Sequence, residues 1–367
     1  MKPAFFINTA IVGVTAATAV AAGGIERSAP STRVLFEEGR YLELSAGYIT
    51  GDLSGSGGLL APGASTGDML GDFFTLGGAY KADLTEQLSY ALIVDTPWMV
   101  NTDYPVMAGS GYSGTSADLI SVGLTGILAW DFNENFKAYA GVRAQSLEAE
   151  AYFPFGTALG LAGPYDVSAS REYGVGYMAG VAYQRPDIAL RVALTYYSEI
   201  ETDHSTTETI GGTVYQTQTD ITTPQAVNLE FQTGIMEDTL LFGSVRWVDW
   251  SEFSIAPPEF TAGVGAPLVD YEKDWTTYSL GVGRRLNDRW SVALQGAWEP
   301  ASDTTLTTLG PIDGRWSVGL SATYTMARAK ITGGVTYVDL GDAQNFAATE
   351  FEDGSAIGAG VRVGFYF

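Results

Sequence analysis

From Ile357 to the C-terminus the apolar side chains fall on every second position: Ile357, Ala359, Val361, Val363, Phe365 and Phe367. Gly358, Gly360, Arg362, Gly364 and Tyr366 fill the positions between. A period of two is that of a strand with one apolar and one small or polar face. The same alternation recurs along the chain and predicts fourteen strands, near 40–50, 72–82, 88–95, 118–131, 135–148, 169–184, 188–200, 219–235, 239–250, 270–285, 289–300, 313–326, 329–340 and 354–367. The connections alternate as well. Short turns fall at 83–87, 131–135, 185–187, 236–238, 286–288 and 326–328, and long Gly/Ser/Thr/Asp-rich loops at 51–71, 96–117, 149–168, 201–218, 251–269, 301–312 and 341–353. This pattern predicts an all-β fold, a transmembrane antiparallel β-barrel of about 14 strands with short periplasmic turns and long extracellular loops. In lipid an open sheet edge leaves backbone groups unpaired, so the strand ending at Phe367 is expected to close against the first.

Composition agrees with this reading and removes alternatives. The chain of 367 residues has 45 glycines, 20 tyrosines and only 17% charged residues, unlike a helical enzyme. Its 19 basic and 42 acidic residues give a net charge of −23, which argues against nucleic acid as a partner. Cysteine is absent, so disulfides and thiolate chemistry are excluded. "MKPAFFINTAIVGVTAATAVAAGG" has one lysine, a short apolar stretch and an Ala19-Val20-Ala21 cleavage pattern, and reads as a signal peptide over 1–21. A short N-terminal segment, 22–39, then leads into the barrel, 40–367, and the expected location is the bacterial cell outer membrane.

Parity separates the two faces. Leu190, Val192, Leu194 and Tyr196 belong to the outward set, as do Trp290, Val292, Leu294 and Trp298, and Trp316, Val318, Leu320 and Tyr324. Arg143, Arg191, Arg246, Arg315 and Arg362 fall on the lumenal face, with Glu43, Glu199 and Glu230. Such arginines pair with carboxylates to hold the wall, because a buried unpaired charge is costly. One left free would take an anionic substrate by a bidentate contact. The loop "AYFPFGTALGLAGPY" is apolar for an exposed segment, and Tyr152, Phe153, Phe155, Leu159, Leu161 and Tyr165 are candidates for a substrate-binding groove or for a cover over the barrel mouth. Catalysis finds little support. Asp203, His204 and Ser205 are sequence neighbours, which do not reach the geometry of a triad, so no enzymatic activity is expected.

Several stretches together resemble the long-chain fatty-acid outer-membrane transporter family of the FadL/TodX type. They are "TPWMVNTDYP" (96–105), "YQRPDIALRVALTYYSEIE" (183–201), "TPQAVNLEFQTGIMEDTLLFGSVRWVDWSEF" (223–253), "YSLGVGRRLNDRWSVALQGAWEP" (278–300) and "GPIDGRWSVGLSATY" (310–324). The more specific pieces are the Trp-x-x-Trp-Ser of Trp247, Trp250 and Ser251, and the Pro-x-Asp-x-Arg from Pro311 to Arg315. The resemblance implies passive transport of long-chain fatty acids or related hydrophobic compounds, captured at extracellular loops and released through the barrel or sideways through an inward kink in the third strand. Pro97 stands at the matching place and cannot donate a ladder hydrogen bond, so it either opens the wall there or simply ends the strand. Lys273 resembles a lysine that the family uses near a substrate carboxylate, or else pairs with Glu272 and Asp274 at the surface. The family's N-terminal hatch is shortened here to about 18 residues around Ser28-Ala29-Pro30. Either Arg27, Arg33, Phe36 and Glu37 fold inward to meet lumenal charges, or the barrel is open and acts as a general porin for small hydrophilic solutes. The expected surroundings are outer-membrane lipid and lipopolysaccharide, with the assembly machinery reading the Phe367 strand. A monomer without cofactor or metal completes the expectation.

Overall fold

The computed structural model describes residues 24–367, so the expected signal peptide lies outside the described residues. Fourteen antiparallel staves form the wall: β1 (Tyr41–Gly57), β2 (Phe73–Asp83), β3 (Leu88–Asp95, resumed as Met99–Asp103), β4 (Ser116–Asp131), β5 (Phe136–Phe153), β6 (Tyr165–Arg185) and β7 (Leu190–Tyr197), then β8 (Ala226–Met236), β9 (Thr239–Val248), β10 (Trp275–Arg285), β11 (Trp290–Glu299), β12 (Arg315–Thr325), β13 (Ala329–Leu340) and β14 (Glu350–Tyr366). Each pairs with its sequence neighbours, and β14 pairs with both β13 and β1, from Tyr41↔Tyr366 to Ser56↔Glu350. The barrel is closed, and the Phe367 N–H itself donates to the Arg40 carbonyl. The terminal alternation thus becomes a fully paired stave.

Alternation along the staves builds the outer face. Trp290, Val292, Leu294 and Trp298 are exposed on β11, and Trp316, Val318 and Leu320 on β12. Cross-strand register places their aromatic members in two bands. Tyr278 and Trp298 stack at one level with Trp316 and Tyr337, while Trp290 meets Tyr324 near the turn end. An apolar belt between two aromatic rings is what a lipid bilayer demands of a barrel.

Where the structure departs from the pattern, local geometry explains it. The segment expected as loop 201–218 instead continues the wall as a hairpin, Ile200–Ile210 with Thr213–Thr223, whose first strand pairs with Tyr165–Ala169. It turns on Gly211 and Gly212, both at positive φ, the backbone that a two-residue hairpin requires. Glu199, assigned to the lumen by parity, is exposed: β7 ends at Tyr197 and pairing resumes at Ile200, which faces inward and is buried. The loop at 51–71 also holds strand, because β1 runs to Gly57 and folds back as Ala61–Asp68. At the long-loop end these extensions enclose an apolar cluster containing Phe153, Tyr165, Trp250 and Tyr271; a second cluster, around Val34 and Leu35, fills the turn end.

Candidate functional site

The N-terminal segment lies inside the barrel, held to the wall at successive levels. Glu26, wholly buried, accepts two hydrogen bonds from Arg246 of β9, at 2.9 and 2.5 Å, and Arg246 also donates to Asn228. Ser31 donates to Glu230, and the Pro30 carbonyl accepts from Asn228. Arg191 stacks over Phe36 at 4.3 Å, the Lys137 ammonium donates to the Leu35 carbonyl, and Glu37 accepts from Tyr366 and pairs with Lys330. At its start, Gly24 lies against the Trp250 ring. A Cβ there would come within 2.9 Å of the indole, and its φ of +63° favours glycine as well.

The same segment covers a defect in the wall. Between Asp95↔Gly123 and Met99↔Ile120, three residues of β3 face two of β4, a one-residue bulge at Thr96, Pro97 and Trp98. Ser121 mends that side: its hydroxyl accepts from the Trp98 N–H and its own N–H donates to the Trp98 carbonyl. On the other side, pairing of β2 with β3 stops at Gly78↔Val94 and resumes only where Leu70 bridges Thr102. Phe73–Leu76 therefore pair with β1 but not with β3. From inside, the Arg27 and Ser28 N–H groups donate to the Pro97 carbonyl, and the Met99 N–H donates to the Ile25 carbonyl. Unpaired backbone is costly in a membrane. The N-terminal segment supplies what the proline and the bulge leave out.

Two cavities lie on either side of this cover. The upper, at the long-loop end, is about 60 Å³ and almost wholly apolar, bordered by Ile25, Val100, Leu119, Val167, Ile221 and Tyr271 among others. The lower, about 250 Å³, is more polar and is bordered by Ser28–Pro30 of the segment. It also borders Leu76 and Val94, outer-face residues 56% and 45% exposed, at the stretch of wall where β2 and β3 are unpaired. Aromatic rings flank the upper cavity: Trp250 packs against Trp98, Phe253, Tyr271 and Trp275 with centroids 5.1–5.9 Å apart. Burial raises the Tyr271 phenol above its ordinary pKa, with the Arg27 charge acting in the opposite direction.

The residues singled out by sequence fall into three places. Phe153, Phe155, Leu161 and Tyr165 are buried together with Leu159 half-buried beside them, whereas Tyr152, between the inward Ala151 and Phe153 on the strand, falls on the other face and is not part of the cluster. The rings of Phe153, Phe155 and Tyr165 pack on one another and on Phe260 and Tyr112, forming a roof at the long-loop end, and none of the six candidates lines the upper cavity. Four of the five arginines are in ion pairs, Arg143 with Asp95, Arg246 with Glu26, Arg315 with Glu299 and Arg362 with Glu43, and Arg191 covers Phe36. Lys273 is exposed and donates to the Ser302 carbonyl, while Asp274 accepts from Trp247 and Ser251. His204 is buried between the Ser170 carbonyl and the Thr202 hydroxyl, while its neighbours Asp203 and Ser205 face the other way. Sequence reasoning missed the upper cavity itself, whose small wall residues Ala117, Ala149, Ala151 and Ala169 carry no signal beyond their parity.

Residues 64–363 match the family described as Outer membrane protein transport protein (OMPP1/FadL/TodX). No curated protein matches the chain. Among solved structures, a FadL homologue of Pseudomonas aeruginosa superposes with a TM-score of 0.72 at 14% identity, over 91% of this chain and 92% of that one. The Pseudomonas putida toluene transporter TodX gives 0.69 at 14% identity over 97% and 98%. The Ralstonia pickettii toluene transporter TbuX gives 0.62 at 14% identity over 91% and 90%. At such identity the likeness establishes the barrel fold.

Proposed function

Because the chain belongs to the OMPP1/FadL/TodX family of outer membrane transport proteins, we propose that it passes hydrophobic molecules across the outer membrane by a route that leaves the barrel sideways between β2 and β3. The observation that carries this reading is the unpaired stretch of wall beside Pro97, reached from inside by the lower cavity and covered by Ile25–Ser28. A hydrophobic molecule parts the roof of Phe153, Phe155 and Tyr165, rests in the apolar upper cavity, and moves past the segment toward Leu76 and Val94. Below that level the lumen is lined by Glu230, Arg246 and Arg362, which an apolar molecule avoids, so lipid is the favoured exit. Between long-chain fatty acids and compact aromatic compounds, the size of the upper cavity favours the compact ones. It is smaller than the apolar cavity of about 150 Å³ that accepts benzene, and a long acyl chain would have to displace far more of its lining.

Deleting Pro97 tests the route, since it leaves two residues of β3 facing two of β4 and restores a regular ladder. In cells lacking their own hydrophobic transporters, the wild-type barrel is expected to raise uptake of labelled toluene, and of labelled oleate to a smaller extent. The deletion variant, assembled as a heat-modifiable barrel, is expected to lose about tenfold of that gain or more. Full uptake through an intact ladder would rule out the lateral exit.

A further inference from the structure

The upper cavity holds one feature that a neutral hydrocarbon does not need. Arg27, on the N-terminal segment, borders it, and its guanidinium lies over the Phe73 ring at 4.9 Å. One of its nitrogens, Nη1, donates to the Gly24 carbonyl at 2.9 Å and more weakly to that of Glu26. Among the described residues it forms no ion pair: Glu26, its neighbour, is committed to Arg246. Asp118 and Glu150 also border the cavity, but both are exposed on staves whose inward positions are Ala117, Leu119 and Ala151. Their side chains therefore belong to the outer face. Arg27 keeps some accessible surface because it faces a cavity, although protein surrounds it on every side. That enclosure, and next the charge of Arg315, bring its pKa down to about 10, so it is still a cation at neutral pH.

Arg143, Arg246, Arg315 and Arg362 each meet a carboxylate, and Arg191, like Arg27, lies over an aromatic ring. Arg27 differs from Arg191 in that it borders the apolar upper cavity. A guanidinium that feels Glu26 and Glu299 but has no ion-pair contact, beside an apolar space, gains from an anion that arrives there. We propose that Arg27 is the specificity-determining residue of the upper cavity and that it selects compact carboxylates, with an aromatic or short aliphatic body, over neutral hydrocarbons of the same shape. The body occupies the apolar space between Leu119, Val167 and Ile221, and the carboxylate accepts from the guanidinium. A charge-assisted contact in so dry a setting is stronger than one between neutral groups. This inference rests on the reading of the upper cavity as the cargo site.

Benzoate and toluene are matched probes, differing in a carboxylate against a methyl group. Binding is measured by equilibrium dialysis of each labelled compound against the full chain in nanodiscs, with empty nanodiscs as the partition control, for wild type, Arg27→Gln and Arg27→Lys. The expected result is that wild type binds benzoate at least about tenfold more tightly than toluene. Arg27→Gln is expected to lose that margin with toluene unchanged, and Arg27→Lys to keep part of it. Toluene bound as well as benzoate by the wild type, or both probes weakened alike by Arg27→Gln, would overturn the inference while leaving the cargo site in place. Binding of neither probe would remove the cargo site itself and with it the role of Arg27. Should Arg27→Gln fail to assemble, the wild-type margin and the Arg27→Lys variant still decide.

Discussion

Arg246 and Glu26 are 220 positions apart in the chain and meet in the middle of the barrel, neither with more than 7% of its side chain exposed. Parity placed Arg246 in the lumen, as it did Arg143, Arg315 and Arg362. What parity could not supply was the partner, because nothing local to Glu26 states how far an inserted segment reaches. Removing one member of such a pair leaves the other charge buried and unmatched, at a cost of about 3–5 kcal/mol. Glu26→Gln is therefore expected to loosen the segment without harming the wall. Amide hydrogen exchange should speed up over residues 25–31 and stay slow along β9, whereas protection unchanged from wild type would show that the remaining contacts hold the segment by themselves. The apolar loop at 151–165 was legible in a weaker sense. Its composition announced burial, but its partner Phe260 comes from a helix more than ninety residues away, Pro258–Val264, so the roof could not be read from the loop alone.

At the scale of elements, all fourteen staves were legible, since each repeats a two-residue period long enough to be unambiguous. The hairpin after β7 carried a signal too: Thr202, His204, Thr206 and Glu208 alternate as its buried face, and Gly211-Gly212 marks its turn. Its polar inward residues masked the alternation, because a strand rising above the lipid has no need of an apolar stripe. Parity failed outright only where the chain slips by one, near Glu199 and at Pro97. The lipid-facing set gives a direct check. Leu320, 59% exposed in mid-stave and paired with Leu294 and Val335, should tolerate arginine poorly. Leu320→Arg is expected to cost about 2–4 kcal/mol, read as a lower temperature for the gel-mobility shift on unfolding. Ser321→Arg, on the other face of the same stave, should change it much less; equal losses at both sites would mean that the faces are not what alternation makes them.

For the whole molecule, the question left by the short N-terminal segment was whether the barrel stands open. Residues 25–37 occupy the lumen and contact β3, β5, β7, β8, β9, β13 and β14. Wild type in planar bilayers is therefore expected to pass no steady ionic current, and a variant lacking residues 25–37 to pass one; a large steady wild-type current would instead favour a general porin. The cover over the gap beside Pro97 has a kinetic meaning as well. On the lateral route proposed above, its hydrogen bonds from Arg27, Ser28 and Met99 would have to break and re-form for each molecule that leaves. A plain hole conducts in proportion to the gradient across it. A hole that must be uncovered each time has a turnover number, so flux by the proposed route is expected to level off at high cargo concentration, and uptake that rises in proportion to toluene concentration without limit would count against it.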